Sequence, residues 1–252
     1  MINLVRAEWI KLRSVTMNLV LSIIAVAFPL LVTLITAGVN GDKPDFDART
    51  LLDLLTGSSF VTVLLVGVIA AAAITSEFGF GTIRPTFAAT PRRTRVIVAK
   101  GIVVVAAAML VEAVVVAIGI VVGSSLAGSQ GADIDLGAVP TAVPALAGVV
   151  VLAGLAALVA YGLGMLVRST PVAVVVFILW PLLAEGLVGA LIAVVTGSDS
   201  VVNWLPFQSG FRLALVNLDD LGPGRLVSGL YFGAVGAVLA TFGAWSVNRR
   251  DA

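Results

Sequence analysis

The sequence contains no cysteine and no histidine, and it has few charged residues. The absence of cysteine excludes disulfides and thiolate nucleophiles, and the absence of histidine excludes Ser-His relays and most zinc sites. We therefore expect no catalytic residues and no metal site. Only 12% of the residues are charged, whereas about a quarter are charged in soluble domains. A soluble globule is excluded on this ground.

Apolar residues make up 60% of the chain, and the mean hydropathy is +1.13. Several apolar runs reach the roughly 20 residues that a helix needs to cross a hydrocarbon layer. These runs are continuous rather than alternating, which favours helices over a β-barrel. The sequence thus predicts an all-α integral membrane protein with six transmembrane helices. The predicted spans are about 17–38, 54–75, 98–127, 139–166, 171–195 and 226–247.

The basic residues predict the orientation, because short cytoplasmic segments are enriched in lysine and arginine. The net charge is only +1, but with a cytoplasmic N-terminus eleven of the fifteen basic residues lie on the cytoplasmic side. They are Arg6, Lys11, Arg13, Arg84, Arg92, Arg93, Arg95, Lys100, Arg168, Arg249 and Arg250. The remaining four, which fall outside, are Lys43, Arg49, Arg212 and Arg225. We predict that both termini are cytoplasmic.

A short charged helix precedes the first span, over residues 2–13. Its apolar residues recur at helical spacing, and its charged residues occupy the remaining positions, which is typical of an amphipathic helix in the headgroup plane. The apolar set is Ile2, Val5, Trp9 and Leu12, and the polar set includes Glu8 and Lys11. Two interpretations remain open: a passive anchor, or a lever connected to a cytoplasmic partner.

The predicted cytoplasmic loop over residues 76–97 combines glycines, a proline and arginines. Gly79 and Gly81 allow the chain to leave the second span sharply, and Pro91 ends any short helix formed by residues 82–89. Such a helix, held at both ends by spans, can transmit a push from a docked protein into the bundle. The alternative is that the arginines only follow the charge rule and contact anionic lipids.

Two carboxylates lie inside predicted spans, Glu112 in the third and Glu185 in the fifth. A charge at the bilayer centre costs about 2.5–3.5 kcal/mol on insertion scales, so such residues usually face a partner or a wet cavity. Glu185 is predicted to lie nearer the outer end and to reach water. For Glu112 we favour interhelical hydrogen bonding over contact with a cationic substrate.

Glycine and proline patterns indicate special packing in three spans. Gly119 and Gly123, and likewise Gly229 and Gly233, have the spacing of close helix contacts, and either pair is a candidate dimer contact. Trp180-Pro181 is predicted to bend the fifth span, because proline removes a backbone hydrogen bond.

Three segments together resemble the permeases of ABC-2-type ABC transporters. The loop after the second span carries the family-like order of Glu, Gly-Thr, Pro-Arg and Lys. The opening segment Ala7–Ser14 and the segment Asn203–Phe207 before the last span are also similar to that family. The matching loop residues are Glu77, Gly81, Thr82, Arg84, Pro91, Arg92, Arg93, Arg95 and Lys100.

The resemblance implies the membrane subunit of an ATP-driven exporter in a bacterial plasma membrane. It implies a dimer with a second copy or a paralogue, two cytoplasmic ATPase subunits, a coupling helix within 77–95, the interfacial helix 2–13 beside it, and re-entrant helices in the outer loop 196–225. Phe207 and Phe211 fit such a re-entrant segment, as they would fit a surface loop.

The chain has no Gly-x-x-x-x-Gly-Lys-Ser/Thr phosphate loop, so ATP and Mg²⁺ are expected on the partner ATPase. The permease itself is then not an enzyme. An amphipathic drug, peptide antibiotic, lipid or glycan would suit an apolar pathway. We expect membrane lipids as further partners, and no nucleic acid.

Two alternatives to an exporter subunit stay open. A stand-alone secondary transporter would be expected to show internal repeats and paired ionisable residues near the midplane, and we find no convincing repeat and few such charges. A structural membrane protein without transport activity is the other alternative.

Overall fold

The computed structural model describes residues 1–83, 85, 92–197 and 199–249, and these residues are mostly helical. Arg84 and Pro91 of the predicted loop lie outside the described residues. We call the end of the bundle that carries the short N-terminal helix the inner end, following the predicted orientation. The α-helices are α1 Ile2–Ser14, α2 Thr16–Asn40, α3 Ala48–Gly79, α4 Arg93–Ser129, α5 Ala142–Val167, α6 Thr170–Leu179, α7 Glu185–Thr196, α8 Pro206–Phe211 and α9 Arg225–Arg249.

Six helical stretches of the described chain are long and apolar enough to cross a membrane, as predicted. They are α2, α3, α4, α5, the α6–α7 pair taken as one stretch, and α9. Helices α3 and α4 extend beyond the predicted spans 54–75 and 98–127 at both ends. Hydropathy misses these extra turns because they carry polar residues. The helix nevertheless continues, and at its start the Asp47 side chain caps α3 by accepting the Thr50 N–H.

Helices α3 and α5 form the centre of the bundle. Their facing surfaces are built largely from alanine and medium-sized apolar residues, among them Ala71 of α3 and Ala156 and Ala160 of α5, all fully buried. A helix that is apolar on all sides is suited to such a position. Helices α2, α4, α6 and α9 surround this pair, and α2 and α9 leave wide apolar faces exposed.

The two glycine patterns are used within this chain. A Cβ atom at Gly119 or Gly123 would collide with leucine side chains of α3, and one at Gly229 or Gly233 would approach leucines of the loop after α8 and of α5. These glycines therefore pack helices and loops of one copy together. Gly119 and Gly123 are buried by this contact, whereas Gly229 and Gly233 stay half-buried, and the dimer contact stays a prediction.

The predicted disturbance at Trp180-Pro181 is present as one π-helical turn, Trp180–Ala184, between α6 and α7. Proline has no N–H to donate and its ring conflicts with the carbonyl of an α-helical turn. The chain responds with a wider turn, in which the Glu185 N–H donates to the Trp180 carbonyl five residues earlier. The fifth span thus continues through the proline without a break.

Helices α5 and α9 cross closely at Gly162. A Cβ atom at Gly162 would lie 2.6 Å from the Ala240 backbone nitrogen, and backbone cannot move aside cheaply. We predict that Gly162→Ala lowers the stability of the folded protein by about 1–3 kcal/mol through overpacking. The measurement is thermal unfolding of the purified protein in one detergent.

The matched control is Gly186→Ala, because Gly186 is also helical but has open space around its Cβ position. The same substitution there should leave the melting temperature nearly unchanged. Equal melting temperatures for the two variants would contradict the close α5/α9 crossing.

Candidate functional site

Four charged side chains from three helices meet at the inner end, and we call them the charged cluster: Glu8 and Lys11 of α1, Glu77 of α3 and Lys100 of α4. The Lys11 ammonium lies 2.9 Å from Glu8 Oε1 and 3.2 Å from Glu77 Oε1. Lys100 lies 3.0 Å from Glu77 Oε1 and donates a hydrogen bond to Glu8 Oε2. Each lysine therefore bridges both carboxylates.

The cluster is largely shielded from water. Glu8 and Lys100 are each 4% exposed, whereas the Lys11 side chain is 47% exposed. Burying an isolated charge is costly, and a buried pair is tolerated only when opposite charges and hydrogen bonds compensate for the lost hydration. Two carboxylates facing two ammonium groups meet this condition, except that Glu77 Oε2 has no hydrogen-bond partner among the described residues. The ion pairs fix the three helices relative to one another.

The charges of the cluster are mutually stabilised. Burial alone would raise the pKa of Glu8, but attraction and hydrogen bonding to Lys100, helped by Lys11, hold that pKa below its ordinary value of 4.5. Burial would likewise lower the pKa of Lys11, but Glu8 and Glu77 hold it above its ordinary value of 10.5. Both shifts favour the ionised forms found in the cluster.

One polar residue of helix α1 lies in a different environment from the one that the sequence predicts. Glu8, assigned to the polar face, is its one buried residue among those described, while Ile2 of the apolar face is 83% exposed and Trp9 is 37% exposed. Val5 and Leu12 are half-buried. The interpretation of Glu8 as a headgroup-facing residue was wrong, because Lys100 on α4 supplies a buried partner.

The loop residues of the predicted coupling region fall into two groups. Glu77 and Lys100 lie within helices and are buried in the charged cluster. They therefore anchor the two ends of the loop and are not part of its exposed surface. The surface group consists of Gly81, Thr82, Arg92 and Arg95, which are exposed, and Arg93, which is half-buried. Gly81 has φ +68°, a conformation that favours glycine.

Further polar contacts, which sequence analysis missed, join the other helices near the same end. Tyr161 of α5 donates to the Ile97 carbonyl of α4 at 2.8 Å, and Thr75 and Thr170 join α3 to α6 at 2.7 Å. Arg168, which ends α5 with a left-handed backbone, donates to the Ser246 carbonyl of α9 at 2.9 Å. The inner ends of five helices are thereby linked.

The two intramembrane carboxylates occupy different environments. Glu112 is fully buried on α4, and neither of its oxygens has a hydrogen-bond partner among the described residues, although Ser59 of α3 lies beside it. Ser59 is therefore the candidate partner for the favoured interhelical hydrogen bond, which stays a prediction. Glu185 is 1% exposed, and its carboxylate accepts hydrogen bonds from Trp180, Phe207 and Gln208. The prediction that Glu185 reaches water was wrong, because the outer loop folds back over it.

The two lysines of the cluster allow a matched comparison. We predict that Lys100→Met destabilises the protein by about 3–5 kcal/mol, because it leaves two buried carboxylates without their buried cation. Lys11→Met should cost far less, since exposed ion pairs contribute only about 0–1 kcal/mol. Thermal unfolding of both purified variants measures this difference, and equal losses would show that Lys100 is not the central cation.

The depressed pKa of Glu8 gives a pH dependence of known sign. The stability that its charge contributes is fully present above pH 4.5 and is lost as the pH falls through the lower folded-state pKa. We predict that Glu8→Gln is less stable than the parent protein at pH 7, and that the difference shrinks at lower pH. Asp133→Asn, at an exposed loop position, is the control. A difference that stays constant with pH would contradict the role of the Glu8 charge.

Comparison with known proteins adds one finding to this geometry. The sequence model of a protein family, described as ABC-2 family transporter protein, matches residues 4–202. This range contains the charged cluster, the loop residues and both intramembrane carboxylates. A search among curated proteins found no match. The match covers most of the chain and agrees with the six candidate spans. The chain belongs to the ABC-2 transporter family.

Proposed function

We propose that this chain is the permease subunit of an ATP-driven exporter and that a separate cytoplasmic ATPase drives it. The observation that carries the proposal is the charged cluster. It joins helix α1 to the ends of α3 and α4, the two helices that flank the predicted coupling loop. A force applied to that loop would therefore act on three helices at once.

The long flanking helices suit this mechanical role. Helix α3 has 32 residues and α4 has 37, so at about 1.5 Å per residue each is longer than the hydrocarbon layer is thick. Each continues without interruption from the charged cluster into the bundle. A rigid helix held at its end by buried ion pairs transmits displacement along its axis.

The exposed loop residues favour a protein partner with an acidic surface. Arg92 and Arg95 are exposed and precede Lys100 by eight and five residues. They can pair with carboxylates of a partner and speed association through charge complementarity. The chain has no phosphate loop of its own, so ATP and Mg²⁺ would be held by that partner. We propose that the partner is an ABC ATPase.

The assembly would contain two permease chains, identical or paralogous, and two ATPases in a bacterial plasma membrane, with both chain termini in the cytoplasm. ATP binding would draw the ATPases together and switch the bundles between inward-open and outward-open states. The substrate class we propose is an amphipathic molecule such as a drug, peptide antibiotic, lipid or glycan.

The test is purification of the tagged chain from its native membranes, alongside the variant Arg92→Glu/Arg95→Glu. We predict that an ATPase co-purifies with the parent chain and that at least about tenfold less is recovered with the variant, because charge reversal replaces attraction with repulsion. Bound protein is identified by mass spectrometry, and ATP hydrolysis is measured on the eluate.

The control is Lys43→Glu/Arg49→Glu, which reverses two exposed charges at the opposite end of the bundle. It should leave recovery of the ATPase unchanged. A parent chain that elutes alone, even after cross-linking, would contradict the proposal and favour a stand-alone transporter or a structural membrane protein. Equal loss with both variants would remove the loop from the docking site.

A further inference from the structure

The carboxylate of Glu185 is the meeting point of two chain segments. Its Oε1 accepts from the Phe207 N–H at 2.8 Å and from the Trp180 indole N–H at 3.0 Å, and its Oε2 accepts from the Gln208 N–H at 2.9 Å. Phe207 and Gln208 begin α8, whose first N–H groups have no partner within the helix. All three donors are uncharged, so the bonds of Glu185 are directional contacts to a backbone rather than an ion pair.

The π-helical turn places the Trp180 indole and the Glu185 carboxylate on the same side of the helix. In an α-helix, residues five positions apart do not share a face, because one turn takes 3.6 residues. The wider turn between Trp180 and Glu185 brings the two side chains together, and the indole donates to the carboxylate. The proline that causes the turn thus also positions Glu185.

The segment held by Glu185, residues 199–211, returns deep into the bundle, and we call it the re-entrant segment. Helix α7 runs 12 residues from Glu185 to Thr196, so its far end lies about 16 Å from Glu185 along the axis. Gly197, with φ +67°, reverses the chain, and Phe207 is again beside Glu185. The re-entrant segment therefore descends by a similar distance.

Apolar contacts follow the descending chain. A Cβ atom at Gly189 of α7 would lie 2.9 Å from Val202, so α7 and the re-entrant segment are in close contact. At the inner tip the Phe207 ring packs edge-on against Phe177 and Phe232, with ring centroids 5.7 and 5.0 Å away. None of these contacts is a hydrogen bond, so the polar contacts that position this part of the segment come from the Glu185 carboxylate.

One feature opposes the inserted position. Ser209 is fully buried in α8, and its hydroxyl oxygen has no hydrogen-bond partner among the residues that the structure describes. An unpaired buried hydroxyl disfavours the state that contains it, because the group is hydrogen-bonded when it reaches water. The inserted position therefore depends on the Glu185 contacts to offset this cost.

We propose that Glu185 is the positioning residue that holds the re-entrant segment inserted, and that release of this segment opens the outer side of the permease. The holding role concerns the chain alone. The gate role rests on the proposed function, since an outer gate has meaning only in a transport cycle. Loss of the carboxylate shifts the equilibrium toward the released position.

The absence of native cysteine allows a direct test, because one introduced thiol is the only site for a maleimide. Ser209→Cys reports on the inserted position with a side chain of similar size. We predict that a water-soluble maleimide labels it slowly in the purified parent protein and at least about tenfold faster with Glu185→Gln, since an amide cannot accept all three donors. Labelling is followed by mass spectrometry over time.

Two controls isolate the effect. Ser59→Cys, fully buried on α3, should label slowly with either residue at position 185, and Asp133→Cys, in an exposed loop, should label quickly with either. Unchanged labelling of Ser209→Cys in a folded Glu185→Gln protein overturns the proposal. If Glu185→Gln does not fold, the same labelling experiment is done with Glu185→Asp. Its shorter carboxylate should give an intermediate rate, and the parent rate would overturn the holding role.

The gate role has its own test in the pair Gly189→Cys/Val202→Cys, whose short separation suits a disulfide between α7 and the re-entrant segment. Oxidation should reduce ATP hydrolysis by the co-purified complex severalfold, and reduction should restore it. Each single variant is the control. A complete disulfide with unchanged hydrolysis overturns the gate. If no ATPase co-purifies, the proposed function and with it the gate fail, while the labelling result still decides the holding role.

Discussion

The organisation of this bundle depends on one constraint: polar groups removed from water need partners within the protein. The chain meets this constraint at two places with the same residue type. At the inner end, Glu8 and Glu77 are neutralised by Lys100 and Lys11 from neighbouring helices. Deeper in the bundle, Glu185 is satisfied by neutral backbone and indole donors instead. The ion pairs at the inner end fix three helices relative to one another, and the directional hydrogen bonds of Glu185 fix the position of the returning chain.

Helix α3 connects these two places. Its Glu77 belongs to the charged cluster, and its Phe60 packs against Phe211 of the re-entrant segment with ring centroids 5.2 Å apart. Glu77 and Phe60 lie about 26 Å apart along α3, which is one uninterrupted helix. A displacement at the inner end therefore has a continuous, stiff path to the segment that Glu185 holds. This continuity is a physical link between the proposed coupling site and the proposed gate.

The sequence was sufficient to predict the number and approximate position of the spans, because hydropathy reports on each segment independently of the others. It was not sufficient for Glu8 and Glu185, whose environments depend on residues 92 and 22 positions away. Glu8 was expected on the polar face of an interfacial helix, and Glu185 was expected to reach water. Only the packing of α4 against α1, and the return of the outer loop, show that each has buried partners.

Glu112 shows what the same constraint implies for movement. It lies beside Ser59 of α3, its one polar neighbour named among the described residues, in the middle of a contact secured at both ends. The inner end is secured by Lys100 and Glu77, and the outer end by the close fit of Gly119 and Gly123 onto leucines of α3. A contact fixed at both ends cannot slide to relieve a polar group between them. Helices α3 and α4 are therefore expected to move as one unit, and rearrangement would fall on the apolar contacts around α6, α8 and α9.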